Sequence, residues 1–85
     1  MYKTVTDVTP TDDYKLVLSF DKNEKRIFDV SQIIDFGRFS ELQDINIFKT
    51  VHISFDTIEW DNGLDLDPEY LYKKSKTMKT DESTS

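Results

Sequence analysis

Residues 58–72 read IEWDNGLDLDPEYLY and combine a turn signal, a helix start and the only tryptophan of the chain. Asn62-Gly63 is a dipeptide typical of tight hairpin turns. Asp67-Pro68-Glu69 predicts a helix start, because aspartate can cap the first turn, proline suits the first helical position, and acid is favoured at the positive end of the helix dipole. The segment therefore predicts a strand, a turn, a second extended stretch and a closing helix.

The same region carries the charge imbalance of the protein. The 85-residue chain has 17 acidic residues against 11 Lys and Arg, a net charge of −6. Residues 50–72 form an acidic segment, which contains no Lys or Arg and six acids: Asp56, Glu59, Asp61, Asp65, Asp67 and Glu69. Acid of this kind keeps a small protein soluble, and it also predicts electrostatic attraction to a basic partner.

Alternating apolar positions predict antiparallel strands on both sides of the middle of the chain. A short first strand around Val5 and Val8 is followed by a well-defined one, with Tyr14, Leu16, Leu18 and Phe20 on one face. Polar residues 21–24 then turn the chain into a third strand over residues 25–30, so these two strands are expected to form a hairpin. A second hairpin is predicted from the alternation of Val51, Ile53 and Phe55, a turn at Asp56-Thr57, and a return strand through Ile58, Glu59 and Trp60.

Helical signals separate and follow the hairpins. Ser31 is expected to cap a short helical turn, and Gly37 suits the left-handed residue that closes it. Apolar residues then recur every three positions, which predicts broken helical turns laid on a sheet face: Phe39, Leu42, Ile45 and Phe48. The predicted fold class is α+β, a small antiparallel sheet built from two hairpin-like strand groups with short helices, one after strand three and one at the C-terminus.

Length and composition bound the domain organisation and the setting. A chain of 85 residues predicts a single domain over residues 1–75, followed by a disordered polar tail over residues 76–85. The sequence has no cysteine, which excludes disulfides, thiolate metal sites and thiol nucleophiles. No signal-peptide pattern and no apolar run of the roughly 18 residues that a membrane helix needs is visible, so a cytoplasmic location without membrane contact is expected.

The pattern resembles the bacterial domain-of-unknown-function family 2442 (DUF2442). The pieces that carry the resemblance are a Val-x-Pro-like start, Tyr14-x-Leu16-x-Leu18-x-Phe20, Phe28-Asp29-Val30, Gly37-x-Phe39-x-x-Leu42, Phe48, and Ile58-Glu59-Trp60-x-x-Gly63-x-Asp65-Leu66-x-Pro68-x-x-Leu71-Tyr72. The resemblance implies antiparallel strands with short helices and no established activity. It also implies a two-gene regulatory or toxin–antitoxin-like pair, because similar proteins are linked to DNA-binding modules or to a small neighbouring partner. This chain has no helix-turn-helix extension, which disfavours direct DNA binding.

The residue types and their spacing give little support for a metal site or for catalysis. Asp65 and Asp67 are oxygen ligands of the type that Ca²⁺ and Mg²⁺ prefer. Placing Gly63 at the sixth position of an EF-hand loop, however, puts Ile58 and Trp60 where carboxylates are required. No metal ligand and no cofactor is therefore predicted, and a divalent-cation-dependent factor or enzyme using the Asp65/Asp67 region is the alternative function.

Nucleophilic catalysis and nucleic-acid binding are also disfavoured. The single histidine, His52, falls on the polar side of a predicted strand, so a solvated role is expected rather than a catalytic one. The chain has two glycines and no phosphate-binding loop. Its only basic cluster, residues 73–79, follows the last predicted helix, whereas nucleic-acid affinity needs a basic stripe. No catalytic residue, no enzyme activity and no direct nucleic-acid contact is predicted.

Trp60 has two interpretations. It can be a core aromatic packed against the last helix, or an exposed anchor ringed by acid, since aromatic residues often dominate interfaces. The functional hypothesis is a small acidic protein-interaction module that binds a protein, preferably a basic one, or a second copy of itself through a strand edge. The residues predicted to contact the partner are Glu59, Trp60, Asp61, Asp65 and Glu69.

Overall fold

The computed structural model describes residues 3–21 and 24–78. Its strands are β1 (Val5–Pro10), β2 (Lys15–Phe20), β3 (Glu24–Asp29), β4 (His52–Ser54), β5 (Thr57–Glu59), β6 (Asp65–Leu66) and β7 (Lys76–Thr77). Its helices are two 3-10 helices (Val30–Gln32 and Gly37–Gln43), α1 (Ile45–Phe48) and α2 (Pro68–Lys74). All strand pairs are antiparallel, so the predicted α+β class is confirmed. Two residues of the first predicted turn, Lys22 and Asn23, and residues 79–85 of the predicted tail lie outside the described residues.

The strands form two sheets, ordered β1-β2-β3-β7 and β4-β5-β6. Both predicted hairpins are present, as β2–β3 and β4–β5. The sequence predicted a single sheet, and the difference arises at one corner of the structure. There the Val5 N–H donates to the Asp56 carbonyl oxygen at 2.9 Å, while a β-bulge shifts the β1–β2 register between Val5 and Asp7.

One hydrophobic core lies between the sheets and the helical segments. Strand alternation places Leu16, Leu18 and Phe20 of β2 on the buried face, as predicted. The broken helical turns predicted over residues 39–48 are confirmed as the second 3-10 helix and α1, and they bury Leu42 and Phe48. The other buried apolar residues are Val5, Phe28, Val30, Ile33, Val51, Ile58, Trp60, Leu64 and Leu71.

Capping residues explain where the helices begin. Asp67 caps α2 as predicted, because its Oδ2 accepts from the backbone N–H groups of Glu69 and Tyr70 at 3.0 and 3.1 Å. The predicted cap at Ser31 is wrong. Asp29 holds that position and accepts from the Ser31 backbone N–H at 3.0 Å, so the 3-10 helix starts at the end of β3.

The predicted boundary between domain and tail is also wrong by two residues. Lys76–Thr77 forms β7, which pairs with Arg26 and Ile27 of β3. Arg26 fixes the approach to this strand: its Nε and Nη2 donate to the hydroxyl and carbonyl oxygens of Ser75, both at 2.8 Å. A domain boundary placed from composition misses β7, because composition gives no sign that Ser75 contacts Arg26, 49 positions earlier.

Candidate functional site

Trp60 is not part of any contact surface, which corrects its assignment as a partner-binding residue. The side chain has no exposed area, and the indole N–H donates to the Phe48 carbonyl oxygen at 3.0 Å. Strand alternation is the reason, because Ile58 and Trp60 face the core while Glu59 between them faces outward. Of the two interpretations that the sequence left open, the structural one is therefore correct.

Three of the predicted acids lie together on the outer side of the β4–β6 sheet. His52, Glu59 and Asp65 are cross-strand neighbours in one row. Asp61 follows β5, and its Oδ1 lies 3.5 Å from His52 Nδ1. Like charges directly opposite each other, as at Glu59 and Asp65, destabilise a strand pair. The pairing of Glu59 with Asp65 therefore lowers the stability of this sheet.

Glu69 lies apart from these acids. It borders a groove of about 460 Å³ on another side of α2, together with Lys3, Arg26, Tyr72 and Lys73. The Tyr72 ring there is covered by Lys3 Nζ at 3.9 Å and by the Arg26 guanidinium at 4.1 Å from the ring centroid. The acids of the predicted set thus do not form one continuous patch.

The Tyr72 hydroxyl also binds the Glu24 carboxylate beside this groove. It donates to Glu24 at 3.1 Å (Oε1) and 2.9 Å (Oε2). This hydrogen bond, supported by the Arg26 guanidinium at 3.1 Å, lowers the pKa of Glu24 below its ordinary value. Two cations of this groove, Lys3 and Arg26, are therefore engaged within the protein, and Arg26 joins β3 to Ser75, which precedes β7.

An apolar groove of about 510 Å³ lies between the two 3-10 helices on one side and β6 with the start of α2 on the other. Apolar and aromatic side chains form most of its lining, namely Ile33, Phe36, Phe39, Leu66 and Tyr70. Asp65 and Asp67 stand on one side of it, and Gln32 completes the lining. Residues 32–39 and 65–70 meet here, and we refer to the site as the acid-rimmed groove.

Phe36 is the residue of this groove that sequence reasoning missed. Its side chain is 66% exposed although it is fully apolar. The following residue, Gly37, has φ of +52°, a left-handed conformation that turns the chain into the second 3-10 helix. No signal in the sequence marks this exposure, because Phe36 lies three positions before Phe39 and so continues the same three-residue apolar series.

A polar depression of about 310 Å³ adjoins the acid-rimmed groove. It is lined by Asp56, Thr57, Asp65, Leu66, Asp67 and Pro68. Three of these residues, Asp65, Leu66 and Asp67, also line the groove. The two concavities therefore share a wall, and carboxylates are concentrated along it.

Residues 5–77 match the family described as protein of unknown function (DUF2442). The chain belongs to the DUF2442 family. The match begins at β1 and ends at β7, so it includes the last strand, which the predicted boundary at residue 75 left out. No curated protein and no solved structure matches the chain.

This DUF2442 chain offers no ready metal centre among residues 3–21 and 24–78. Those residues contain no group of three or more His, Asp or Glu side chains placed to hold a metal ion. Asp67 Oδ2 is occupied by the helix cap, and His52 Nδ1 lies 2.9 Å from the Thr50 carbonyl oxygen. Within the same residues, no helix is both long and apolar enough to cross a membrane.

Proposed function

We propose that this DUF2442 protein is an interaction module that binds a basic segment of a partner protein in the acid-rimmed groove. The observation that carries the proposal is the combination of an exposed apolar lining with carboxylates along one wall. An apolar side chain of the partner would enter between Phe36, Phe39 and Tyr70, and neighbouring Lys or Arg residues would meet Asp65 and Asp67. A two-gene regulatory pair, which the family resemblance implies, would provide such a partner.

The apolar part of the groove supports a protein ligand. Phe36 is 66% exposed, whereas most aromatic side chains of the described residues are buried or half-buried. Large aromatic side chains in concave, desolvated positions commonly supply most of the energy of protein interfaces. Covering Phe36 would remove apolar surface from water, and this is the main favourable term in association.

Charge supports a basic ligand rather than an acidic one. The groove wall belongs to the acidic segment, residues 50–72, which has six acids and no Lys or Arg. Asp65 also faces Glu59 across β5–β6, so a bound cation would relieve repulsion between two carboxylates. Such complementarity raises association rates at low salt and weakens as salt screens the charges.

The edge of β1 is a poorer contact than the groove for self-association. Pro10 ends β1 and cannot donate to a further strand. The Val8 N–H is already bound to Asp7 Oδ1 at 2.9 Å, and the bulge between Val5 and Asp7 interrupts the edge. Edges blunted in these ways resist pairing with another chain. We therefore propose the groove, and not the β1 edge, as the contact surface.

Selection from a library of random short peptides displayed on phage tests the proposal directly. We expect the enriched peptides to carry an aromatic or large aliphatic residue flanked by Lys or Arg. Binding of the purified peptides should weaken about tenfold or more for Phe36→Ala, because an interface anchor is lost. Asp65→Asn should weaken it several-fold at low salt and less at high salt.

Two variants outside the groove serve as matched controls. Asp12→Asn removes the same charge from a residue whose carboxylate pairs with Lys49 on the surface, and Met78→Ala truncates another exposed apolar side chain. Both should bind the selected peptides nearly as tightly as the wild type. Enrichment of peptides without basic residues, or equal binding to Phe36→Ala and wild type, would contradict the proposed function.

A further inference from the structure

The tip of the β4–β5 hairpin presents an aromatic side chain to solvent. Ser54 pairs with Thr57, so the turn consists of Phe55 and Asp56, one residue earlier than the sequence predicted. Phe55 is 98% exposed. The core pairing of Ile53 with Ile58 sets this register, since a slip of one residue would turn both side chains away from the core.

The backbone at this tip is also unfavourable for the residue that occupies it. Phe55 has φ of +58°, in the left-handed region that favours glycine and that a bulky side chain adopts only with strain. Two-residue hairpin turns prefer Asn, Asp or Gly at such positions. Neither the turn geometry nor the core therefore accounts for a phenylalanine at position 55.

The tip is held firmly despite this strain. The Asp56 carbonyl oxygen accepts from the Val5 N–H at 2.9 Å, and the Thr57 hydroxyl donates to the Leu66 carbonyl oxygen. These bonds tie the turn to β1 on one side and to β6 on the other. A turn that is already fixed loses little backbone freedom on binding, which favours an anchor role for its side chain.

The tip is continuous with the proposed binding surface. Asp56, next to Phe55, lines the polar depression that shares Asp65, Leu66 and Asp67 with the acid-rimmed groove. The groove, its carboxylates and the residue next to Phe55 therefore border one continuous surface.

We propose that Phe55 is a second anchor, which enters an apolar pocket on the basic partner while the partner's segment occupies the groove. The inference rests on the proposed function and adds a second contact, in which this protein supplies the side chain and the partner supplies the pocket. The pocket that receives Phe55 should be bordered by Lys or Arg, because Asp56 enters with it. A second copy of this chain is a poor partner, since Asp56 at the tip would approach Asp65 and Asp67 at the groove.

Site-specific photo-cross-linking in the native host cell tests the contact. Full-length protein carries benzoylphenylalanine either at position 55 or at position 36, so the aromatic character of each site is kept. We expect both positions to cross-link to the same basic protein, identified by mass spectrometry. That protein is then purified, and its affinity for wild type, Phe55→Gly and Met78→Ala is measured by calorimetry.

We expect Phe55→Gly to weaken affinity about tenfold or more, as for an interface anchor, and Met78→Ala to leave it within about twofold. Since glycine is compatible with φ of +58° at this turn, the variant should unfold no more easily than wild type, which separates lost contact from lost folding. Cross-linking at position 36 alone, or unchanged affinity of Phe55→Gly, overturns the anchor and leaves the proposed function standing. Products from neither position, or a product consisting of two copies of this chain, count against the proposed function as well.

Discussion

Replacement of Trp60 by phenylalanine should destabilise the protein strongly. The indole has no exposed area, and its N–H donates to the Phe48 carbonyl oxygen at 3.0 Å. Phenylalanine at this position removes the donor and leaves a carbonyl oxygen inside the core without that partner. It also leaves part of the bicyclic site unfilled.

The size of the effect follows from these two losses. Two ring carbons fewer cost roughly 1.5 kcal/mol in lost burial. A buried carbonyl without its donor costs about 1–3 kcal/mol. Together they predict a loss of about 2.5–4.5 kcal/mol. A domain of this length has a total stability of roughly 4–13 kcal/mol, so a large share would be lost.

Urea unfolding followed by far-ultraviolet circular dichroism measures the loss, because the variant has no tryptophan fluorescence. With a slope near 1 kcal/mol per molar urea, the midpoint should fall by about 2.5 M or more. Phe36→Ala is the control, since truncation of a largely exposed side chain should change stability by about 0.5 kcal/mol or less. A synthetic chain with naphthylalanine at position 60 restores the ring area without the N–H and should recover only part of the loss.

A loss below about 1 kcal/mol for Trp60→Phe would refute this reasoning. It would mean that the Phe48 carbonyl oxygen finds another donor and that the core closes around the smaller ring. Full recovery by naphthylalanine would refute the hydrogen-bond part alone. Wild-type fluorescence should show a blue-shifted maximum, and emission typical of water-exposed indole would contradict the burial itself.

Three further outcomes are expected. Asp67→Ala should cost about 1 kcal/mol in urea unfolding, since two capping hydrogen bonds are lost, and Asp67→Ser should retain most of the stability. Tyr72→Phe should raise the pKa of Glu24 toward its ordinary value in a carboxyl NMR titration. Because the folded pKa of Glu24 is lowered, this carboxylate stabilises the wild type above an unfolded pKa of about 4.3, and that stabilisation is lost as the pH falls through the folded pKa. Tyr72→Phe should therefore lose less stability than the wild type over this pH range. Phe55→Gly should raise stability by up to about 1.5 kcal/mol, because relief of left-handed strain exceeds the entropy cost of glycine, and a loss above about 1 kcal/mol would contradict the strain.

Several elements were predictable because they depend on neighbours along the chain. Alternation identified β2, and the capping role of Asp67 followed from the proline and acid beside it. The Asn62-Gly63 turn formed as expected, with Gly63 at φ of +92°. The cap at Ser31 failed for a local reason too, because Asp29 two residues earlier offers a carboxylate that accepts from the Ser31 N–H, so the helix begins before Ser31.

The candidate site was less predictable than the fold. Among the residues predicted to contact a partner, Asp65 lines the acid-rimmed groove, whereas Glu69 faces another groove and Trp60 faces the core. The sequence could not pair residues 33–39 with residues 65–70, because that contact depends on how the helical turns cross the sheet. The exposure of Phe36 follows from the same crossing.

The sequence by itself determined the hairpins, the main turn, the α2 cap and the concentration of acid in residues 50–72, since each depends on residues within a few positions of one another. Only the tertiary structure decided the split into two sheets, the closing strand at Lys76–Thr77 and the meeting of apolar groove and acidic wall. These features join residues roughly 30 to 50 positions apart, as in the bonds from Arg26 to Ser75. Such contacts form only when the whole chain closes around its core, and local patterns carry no information about which distant partner each residue meets.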